Sequence, residues 1–132
     1  MDMIKATKES LDIAIFSFTN DYLYRTVLEV YKRGVKVRII SDDECCNNYG
    51  CDVQKLCAEG IPCKTDSSKE YHMHNKFAVI DNAVVITGSF NWTAQAALYN
   101  QENILFIENK EIAQKYTDEF NHLFNTFTRT LE

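Results

Sequence analysis

The first third of the chain changes its hydrophobic period twice, from that of a strand to that of a helix and back. Residues 10–18 are dense in apolar side chains with a partly alternating order, which predicts a β-strand. Residues 22–33 repeat apolar side chains at helical spacing, and Gly34 ends this helix before a second strand over residues 35–40. A strand, a helix and a strand joined by short links predict a βαβ unit whose two strands are parallel.

The rest of the chain predicts shorter elements around one hairpin. Apolar runs at residues 77–80 and 84–86 flank a polar turn at residues 81–83. The last helix begins after Asn109, whose side chain can cap it. Its apolar stripe faces the core and consists of Ile112, Tyr116, Phe120, Leu123 and Phe124. The other predicted elements are a short helix in residues 1–10, loops at 41–50 and 65–70, a helix at 53–59, a strand at 61–64, a helical turn at 93–98 and a strand at 103–107.

Four side chains that suit a phosphate lie on or beside the hairpin. His74 and Lys76 are two residues apart on the incoming strand, so both leave the same face. The outgoing strand ends at Gly88, where a residue without Cβ lets Ser89 and Asn91 turn back toward that face. An imidazole, an ammonium, a hydroxyl and an amide would then converge, which is typical of a site that holds and attacks a phosphate group.

The spacing of these residues resembles the signature of the phospholipase D superfamily. That signature is H-x-K-x4-D-x6-G-S-x-N, and its positions are filled here by His74, Lys76, Asp81, Gly88, Ser89 and Asn91. The stretch that follows resembles the mitochondrial cardiolipin hydrolase/Zucchini branch, and the likeness runs from about residue 10 to residue 127. Bacterial single-motif nucleases of the superfamily share the same core.

The resemblance implies an α/β fold, a phospholipase D-like mixed β-sheet flanked by helices on both faces. Residues 1–132 are expected to form a single catalytic domain. Family members normally begin with an extra strand before the first helix, and this chain starts at the helix. We therefore expect the usual first strand to be missing from one edge of the sheet.

The resemblance also implies a role for each site residue. His74 matches the nucleophile that attacks phosphorus and forms a phosphohistidine, without a metal or other cofactor. Lys76 and Asn91 match the residues that hold the non-bridging oxygens, and Ser89 assists them. Glu102 matches a carboxylate that bonds the far nitrogen of the nucleophilic imidazole, which would stabilise the cation formed on attack. Without the resemblance, Glu102 is also compatible with an exposed strand residue.

Two residues of the motif, Asp81 and Gly88, are predicted to have structural roles. By strand parity Asp81 faces away from His74, so we interpret it as bracing for the hairpin, and Gly88 as the point where the strand turns. The mechanism also needs a second proton-transfer group opposite the nucleophile. His72 lies on the same side as His74, and His122 is predicted to lie on the surface of the last helix. The simplest arrangement is a homodimer that brings two copies of His74 together at the interface.

The charge of the chain bears on its substrate. With 132 residues, 45% of them hydrophobic and a net charge of −5, it has the composition of an ordinary globular domain and no general basic coat. Five cations fall in one region of the sequence, namely Lys32, Arg33, Lys36, Arg38 and Lys64. This cluster is compatible with a local basic groove and equally with an ordinary solvated surface. No apolar run reaches the ~20 residues of a membrane span, and a signal peptide is absent, which predicts a soluble intracellular protein. The family resemblance implies the mitochondrial surface as a further location.

The five cysteines are close together in sequence but do not have the spacing of a zinc knuckle. Cys45, Cys46, Cys51, Cys57 and Cys63 contain no C-x2-C pair, so reduced and partly buried thiols are favoured over a zinc site. The odd count and the missing secretory signal argue against a disulfide framework.

These observations predict a metal-independent phosphodiesterase that uses a phosphohistidine intermediate. The favoured substrate is single-stranded nucleic acid, RNA in particular, which makes the protein an endonuclease. A phospholipase that cleaves cardiolipin is the first alternative, and an apolar rim beside the site would favour it. An inactive phosphate- or RNA-binding module is the second alternative, and the intact set of His74, Lys76, Asn91 and Glu102 argues against it.

Overall fold

The computed structural model describes residues 1–47 and 51–131, which form a mixed β-sheet between two layers of helices. Seven strands occur in the order β8-β6-β5-β1-β3-β4-β9, and β2 and β7 form a separate two-stranded ribbon. The strands are β1 (Ser10–Ile15), β2 (Phe18–Thr19), β3 (Lys36–Ser41), β4 (Cys63–Thr65), β5 (Lys76–Ile80), β6 (Val84–Gly88), β7 (Trp92–Thr93), β8 (Ile104–Glu108) and β9 (Arg129–Thr130). The helices are α1 (Asp2–Lys5), α2 (Asp21–Lys32), α3 (Asp43–Asn47), α4 (Asp52–Ala58), α5 (Ala94–Leu98) and α6 (Lys110–Thr126).

The central strand β1 joins a parallel half of the sheet to an antiparallel half. On one side β1 pairs in parallel with β3, from Ser10 opposite Lys36 to Ile15 opposite Ser41, and β3 pairs in parallel with β4. On the other side β1 pairs with β5 in the antiparallel direction, and β5, β6 and β8 follow as an antiparallel series. The predicted parallel pair of the βαβ unit and the predicted hairpin are both confirmed.

Each face of the sheet has its own apolar core. Leu11, Ile13 and Ile15 of β1 are fully buried against α2 and α4, which contribute Val27 and Leu56 among others. The residues of opposite parity face α6, as Ala14 shows by packing in the cluster that contains Ala113 and Phe120. The α6 residues Ile112, Tyr116, Leu123 and Phe124 pack against this second cluster. The predicted mixed sheet with helices on both faces is therefore confirmed.

Side-chain caps begin the two longest helices, and the predicted cap at Asn109 is confirmed. The Asn20 carboxamide oxygen accepts bonds from the backbone nitrogens of Tyr22 and Leu23, and Asn109 does the same for Ile112. None of the helices in the described ranges combines the length and the apolar content that crossing a bilayer requires.

One predicted loop is partly helical. Residues 41–50 were expected to be irregular, but α3 lies within them because the buried Asp42 carboxylate accepts bonds from the backbone nitrogens of Glu44 and Cys45. Residues 48–50 lie outside the described residues. The two-residue strands β2, β7 and β9 were not predicted, since elements this short have no measurable period.

Asp81 ties the tip of the hairpin to the start of β1. It lies in the left-handed region at φ 53°, which Asp tolerates. Its carboxylate accepts bonds from the backbone nitrogens of Lys8, Glu9 and Ser10 at 2.7–3.2 Å. Burial raises the pKa of this carboxyl, but the three backbone donors outweigh burial and hold the pKa below its usual value of 3.8.

We expect Asp81→Asn to lower the free energy of unfolding by about 1–2 kcal/mol at neutral pH, because it removes the charge that three donors stabilise while tolerating the same φ. A carboxyl whose pKa is depressed by folding adds stability above its unfolded pKa, and this is lost as the pH falls through the folded pKa. The difference between the variant and the wild type should therefore shrink as the pH falls below about 4. Urea unfolding across pH measures it, with the exposed Asp118→Asn as the control; a constant difference would contradict this account.

Candidate functional site

The predicted site lies at the edge of the sheet where β1 and β3 end and β5 begins. Lys76 is the first residue of β5 and stands opposite Ile15 in the antiparallel ladder. His74 precedes the strand, so the predicted position of His74 within the strand is wrong by two residues. The buried Met73 anchors this segment, and the backbone nitrogen of Phe16 donates to the Asn75 carbonyl at 3.0 Å.

His74 and Lys76 are in direct contact, as their spacing predicted. The ammonium nitrogen of Lys76 lies 3.2 Å from Nδ1 and 3.4 Å from Nε2 of the imidazole, and it donates to the His74 carbonyl at 2.9 Å. The ring of Phe16 supports both, with its centroid 4.6 Å from that of His74 and 5.2 Å from the ammonium nitrogen. The imidazole itself is exposed, so a substrate phosphate can reach it.

The surroundings of His74 favour its neutral form. Burial lowers the pKa of His74 below its usual 6.5, the Lys76 and His72 cations lower it further, and Asp42 acts in the opposite direction. The ring is therefore neutral at neutral pH, with a free lone pair for attack. Burial also lowers the pKa of Lys76 from 10.5, while the charges of Glu102 and Cys45 raise it.

The outgoing strand ends in a close backbone contact that requires glycine. Gly88 has φ 148°, and a Cβ built on it would collide with the carbonyl oxygen of Asn103 on the neighbouring chain segment. Beyond it, the Asn91 carboxamide oxygen accepts a bond from the backbone nitrogen of Ser17 at 3.2 Å. That bond fixes the carbonyl end of the amide and leaves its NH2 group as the end that can donate to a phosphate oxygen.

Glu102 is held by Ser89 rather than by His74. The Ser89 hydroxyl donates to one carboxylate oxygen, and the Asn100 amide donates to the other at 3.1 Å. Ser89 also accepts a bond from the backbone nitrogen of Asn103 at 3.1 Å. These bonds, first that from Ser89 and then that from Asn100, hold the pKa of Glu102 below its usual 4.5.

The direct bond between Glu102 and the His74 imidazole that the family resemblance implies is not found among the described residues. Likewise the Ser89 hydroxyl, expected to assist at a phosphate, is engaged with Glu102. The structure thus brings His74 and Lys76 together as one pair and Ser89 and Glu102 as a second pair. Gly88 supports the second pair, because it precedes Ser89 in the chain and lies against Asn103, the neighbour of Glu102. Asp81 lies at the other end of the hairpin.

Sequence reasoning missed two contributors to the site. Phe16 packs against the His74 ring, and the buried carboxylate of Asp42 accepts a bond from His72 Nδ1 at 2.9 Å. The available signal was position, since both residues come at or after the carboxyl ends of parallel strands, where open α/β sheets place their sites. The polar composition of residues 41–50 hid this signal because it is equally typical of a surface loop.

The basic cluster predicted from sequence does not form a groove at the site. Lys36 lies opposite Ser10, at the other end of β1 from Lys76. Three of the remaining cations are used structurally: Arg38 binds Asp12 and Asn121, Arg33 donates to the Lys5 and Thr7 carbonyls, and Lys64 donates to the Phe124 carbonyl. Lys32 is exposed and lies 4.0 Å from Glu59. The five cations therefore do not line a groove at His74, and four of them take part in bonds or an ion pair elsewhere.

All five cysteines are free thiols. The two closest sulfurs, of Cys46 and Cys51, are 3.4 Å apart, and Cys57 donates to the Leu131 carbonyl. In residues 1–47 and 51–131, the groups of three side chains spaced to share a metal ion are Asp42 with Glu44 and His72, and Asp42 with Asp43 and Asp66. Neither contains a cysteine.

Comparison with known proteins gives consistent matches over nearly the whole chain. The family model described as "Cardiolipin synthase, PLD-like domain" matches residues 1–124. The mitochondrial cardiolipin hydrolase of Chlamydomonas reinhardtii is 37% identical over 127 residues, covering 96% of this chain and 56% of that protein. The human mitochondrial cardiolipin hydrolase is 38% identical over 125 residues, covering 95% of this chain and 49% of that protein. The chain thus spans about half the length of these relatives.

Solved structures with this fold include two of bacterial origin. Nuc from Salmonella typhimurium, a phospholipase D family member, superposes with a TM-score of 0.89 at 29% identity, covering 97% of this chain and 86% of that one. NucT from Helicobacter pylori superposes with a TM-score of 0.85 at 29% identity and the same coverage. Because the family model covers nearly all of the sequence and the fold agrees with it, the chain belongs to the phospholipase D-like (PLD-like) domain family.

Proposed function

We propose that this chain hydrolyses phosphodiesters, with His74 as the nucleophile. The observation that carries the proposal is the exposed, neutral imidazole of His74 in contact with the Lys76 ammonium group. A neutral imidazole supplies the lone pair for attack on phosphorus, and the ammonium offsets the negative charge of the non-bridging oxygens. Asn91 offers a second donor from its NH2 group.

The reaction has two steps. In the first, a ring nitrogen of His74 forms a bond to phosphorus, the bond from phosphorus to the leaving oxygen breaks, and that oxygen takes up a proton from an acid. In the second, water attacks the phosphorus of the phosphohistidine, gives a proton to a base, and releases His74. Neither step calls for a metal ion, because the nucleophile is neutral without one.

Glu102 stabilises the imidazolium that forms during attack. Within one chain its carboxylate contacts Ser89 and Asn100, and it also interacts electrostatically with Lys76. We propose that the Glu102 carboxylate stabilises the charge on His74 electrostatically, either within one chain or across a dimer interface. Its role parallels that of a carboxylate that orients a catalytic imidazole.

The acid and base are a second copy of His74, supplied by a homodimer. His122 is exposed on α6 and belongs to a different layer of the molecule, so it does not serve as the second group. Large apolar side chains are exposed on α5 and on the edge strand β8, next to Glu102: Leu98, Tyr99, Ile104, Leu105 and Phe106. An exposed apolar edge strand suits burial against a second copy of the chain.

Single-stranded nucleic acid, RNA in particular, is the first candidate substrate. Its support is the likeness to Nuc and NucT, of which this chain covers 86%, a far larger share than of the cardiolipin hydrolases. The Lys76 and His74 pair is then the cationic point at which the strand is held.

A lipid phosphodiester such as cardiolipin is the second candidate, and one observation favours it. An apolar cavity of about 240 Å³ opens beside the motif, lined by Phe90, Trp92 and Ala97 together with residues of α1, α2, β6 and β8. Phe90 lies between Ser89 and Asn91, so an acyl chain in this cavity would belong to a lipid whose phosphate is at the site. The named relatives are mitochondrial cardiolipin hydrolases, which adds the mitochondrial surface as a location.

Cleavage assays decide among these functions. We expect the purified chain in EDTA to cleave at least one of three labelled substrates, namely single-stranded RNA, single-stranded DNA and cardiolipin vesicles, and His74→Asn to abolish it. The exposed His122→Asn is the matched control and should keep wild-type activity. Loss of cleavage in EDTA that a divalent ion restores would contradict the metal-free mechanism. Binding without cleavage in every condition would indicate the inactive module.

We expect Glu102→Gln to slow turnover by about 30- to 1,000-fold while the fold is retained, because the amide still accepts the bond from Ser89 but no longer carries the charge that stabilises the imidazolium. The measurement is kcat beside the melting temperature. Glu108→Gln, at the end of the edge strand β8 that follows Glu102, is the control and should leave kcat unchanged. Near-wild-type kcat for Glu102→Gln would mean that Glu102 is an exposed residue with no part in catalysis.

A subunit-exchange titration tests the shared site. If each centre needs two copies of His74, a dimer with one His74→Asn chain is inactive, because it has a nucleophile or an acid but not both. After equal mixing and random pairing, about a quarter of the wild-type activity per total dimer should remain. Independent sites would keep about half. Exchange is verified with a tag on one partner, and tagged wild type mixed with untagged wild type should lose nothing.

A further inference from the structure

His72 is hydrogen-bonded to Asp42 beside the His74 imidazole, and the reaction as proposed does not use this pair. The carboxylate of Asp42 is completely buried, and its Oδ2 lies 2.9 Å from Nδ1 of His72, whose side chain is 43% exposed. The other carboxylate oxygen accepts bonds from the backbone nitrogens of Glu44 and Cys45. Asp42 is therefore immobile, and His72 is held by the nitrogen that faces it. The other ring nitrogen, Nε2, is the one left for a ligand.

The same aromatic ring places His72 and His74 side by side. The Phe16 centroid is 5.6 Å from the His72 ring and 4.6 Å from the His74 ring. The two exposed histidines flank the buried Met73, and two residues of chain can separate their backbones by at most about 7 Å. This is comparable with one step between phosphates along an extended nucleic-acid strand.

In-line geometry excludes His72 from proton transfer at the reacting phosphorus. The attacking ring nitrogen of His74 and the leaving oxygen must lie on opposite sides of phosphorus. His72 leaves the chain on the same side as His74, so it cannot reach the opposite apex. What it can reach is the substrate next to the phosphate that is cleaved.

We propose that His72, held by Asp42, is a binding subsite for a second phosphodiester adjacent to the one that His74 attacks. The protonated ring donates from Nε2 to a phosphate oxygen, and the Asp42 carboxylate balances its charge. The inference rests on the proposed function, which it deepens: the substrate is one with two neighbouring phosphodiesters. Single-stranded nucleic acid and cardiolipin both have this chemistry, whereas a lipid with one phosphate lacks it.

The pH dependence of this subsite follows from the groups around the ring. The titratable and charged groups that face it or stand behind it are Asp42, Asp43, Glu44, Asp66, His74 and Lys76. A phosphodiester offers only acceptor oxygens, so it gains from His72 only while Nε2 carries a proton. Because Nδ1 faces the Asp42 carboxylate, the advantage of the second phosphate depends on a proton at Nε2 and should be greater at acidic than at alkaline pH.

Equilibrium binding tests the subsite without relying on catalysis. The protein is the full chain with His74→Asn, in EDTA, and the ligands are labelled trinucleotides with two phosphodiesters and dinucleotides with one. A second arm uses lysolipids with two phosphates and with one. We expect the second phosphate to improve the Kd by about tenfold, as a charge-assisted hydrogen bond does, and His72→Asn to remove this gain while leaving the one-phosphate Kd unchanged.

The variants are chosen so that each result is interpretable. An asparagine at position 72 can still donate to Asp42 but has no outward nitrogen like Nε2, so the fold is preserved. Lys69→Ala removes a nearby exposed charge from the same loop and is the matched control, expected to keep the gain. If the second phosphate improves the Kd only for nucleotides or only for lipids, the result supports the subsite and identifies the class of ligand that it binds.

Three results would overturn the proposal: equal Kd values for one-phosphate and two-phosphate ligands in both arms, a gain that survives His72→Asn, or an equal loss in Lys69→Ala. The two proposals fail separately. If the wild type cleaves no phosphodiester but the gain is present and depends on His72, the subsite stands and the catalytic function falls. If the wild type cleaves and no gain is seen, the catalytic function stands and the subsite falls.

Discussion

The antiparallel pairing of β5 with β1 is the interaction on which the site depends. β1 is the most deeply buried strand, with Leu11, Ile13 and Ile15 fully enclosed, and β5 runs beside it in register from Ile80 to Lys76. This register brings the chain segment that precedes β5 to the carboxyl end of β1, where the parallel half of the sheet also ends. His74 is thereby placed beside Phe16, and Lys76 opposite Ile15. If the register of β5 against β1 shifted by one residue, the side chains of β5, including that of Lys76, would move to the opposite face of the sheet.

The electrostatics of the site are those of a few charges at close range rather than of a broad surface. The chain carries a net charge of −5, and four of the five clustered cations are used in bonds or ion pairs away from His74. At the site, the Lys76 ammonium lies against the imidazole and helps to keep it neutral. One ammonium can therefore favour the nucleophilic form of His74 and attract the phosphate, since both effects come from the same positive charge.

Buried carboxylates in the loops that follow β3 and β4 hold the site in place through hydrogen bonds. Asp42 caps α3 and holds His72, and Asp66 accepts bonds from the backbone nitrogens of Asp43 and Met73. Burial raises the pKa of Asp66, because carboxylates are expensive to enclose. Together these carboxylates join the loop after β3 to the segment between β4 and β5, which carries both His72 and His74.

Much of the fold was readable from sequence because it depends on local periodicity. The order strand–helix–strand, the hairpin, the cap at Asn109 and the apolar stripe of α6 all follow from patterns within a few turns or strand residues. The contact between His74 and Lys76 was anticipated from their spacing, although His74 lies just before β5 rather than in it. The helix α3 and the two-residue strands were not found, because their bonds come from residues distant in sequence or are too few to show a period.

Contacts between distant segments were decided only by the tertiary structure. The sequence alone determined that an imidazole, an ammonium and an amide, groups of the kind that suit a phosphate, lie within one hairpin and its flanks. It could not show that Ser89 bonds Glu102 instead of a phosphate, that Gly88 is required by the approach of Asn103, or that Lys36 lies at the other end of β1 from Lys76. It also could not show the bond between Asp42 and His72, which are 30 positions apart. Periodicity reports which face a residue occupies, whereas partners across the sheet edge are chosen by packing, charge and burial in three dimensions.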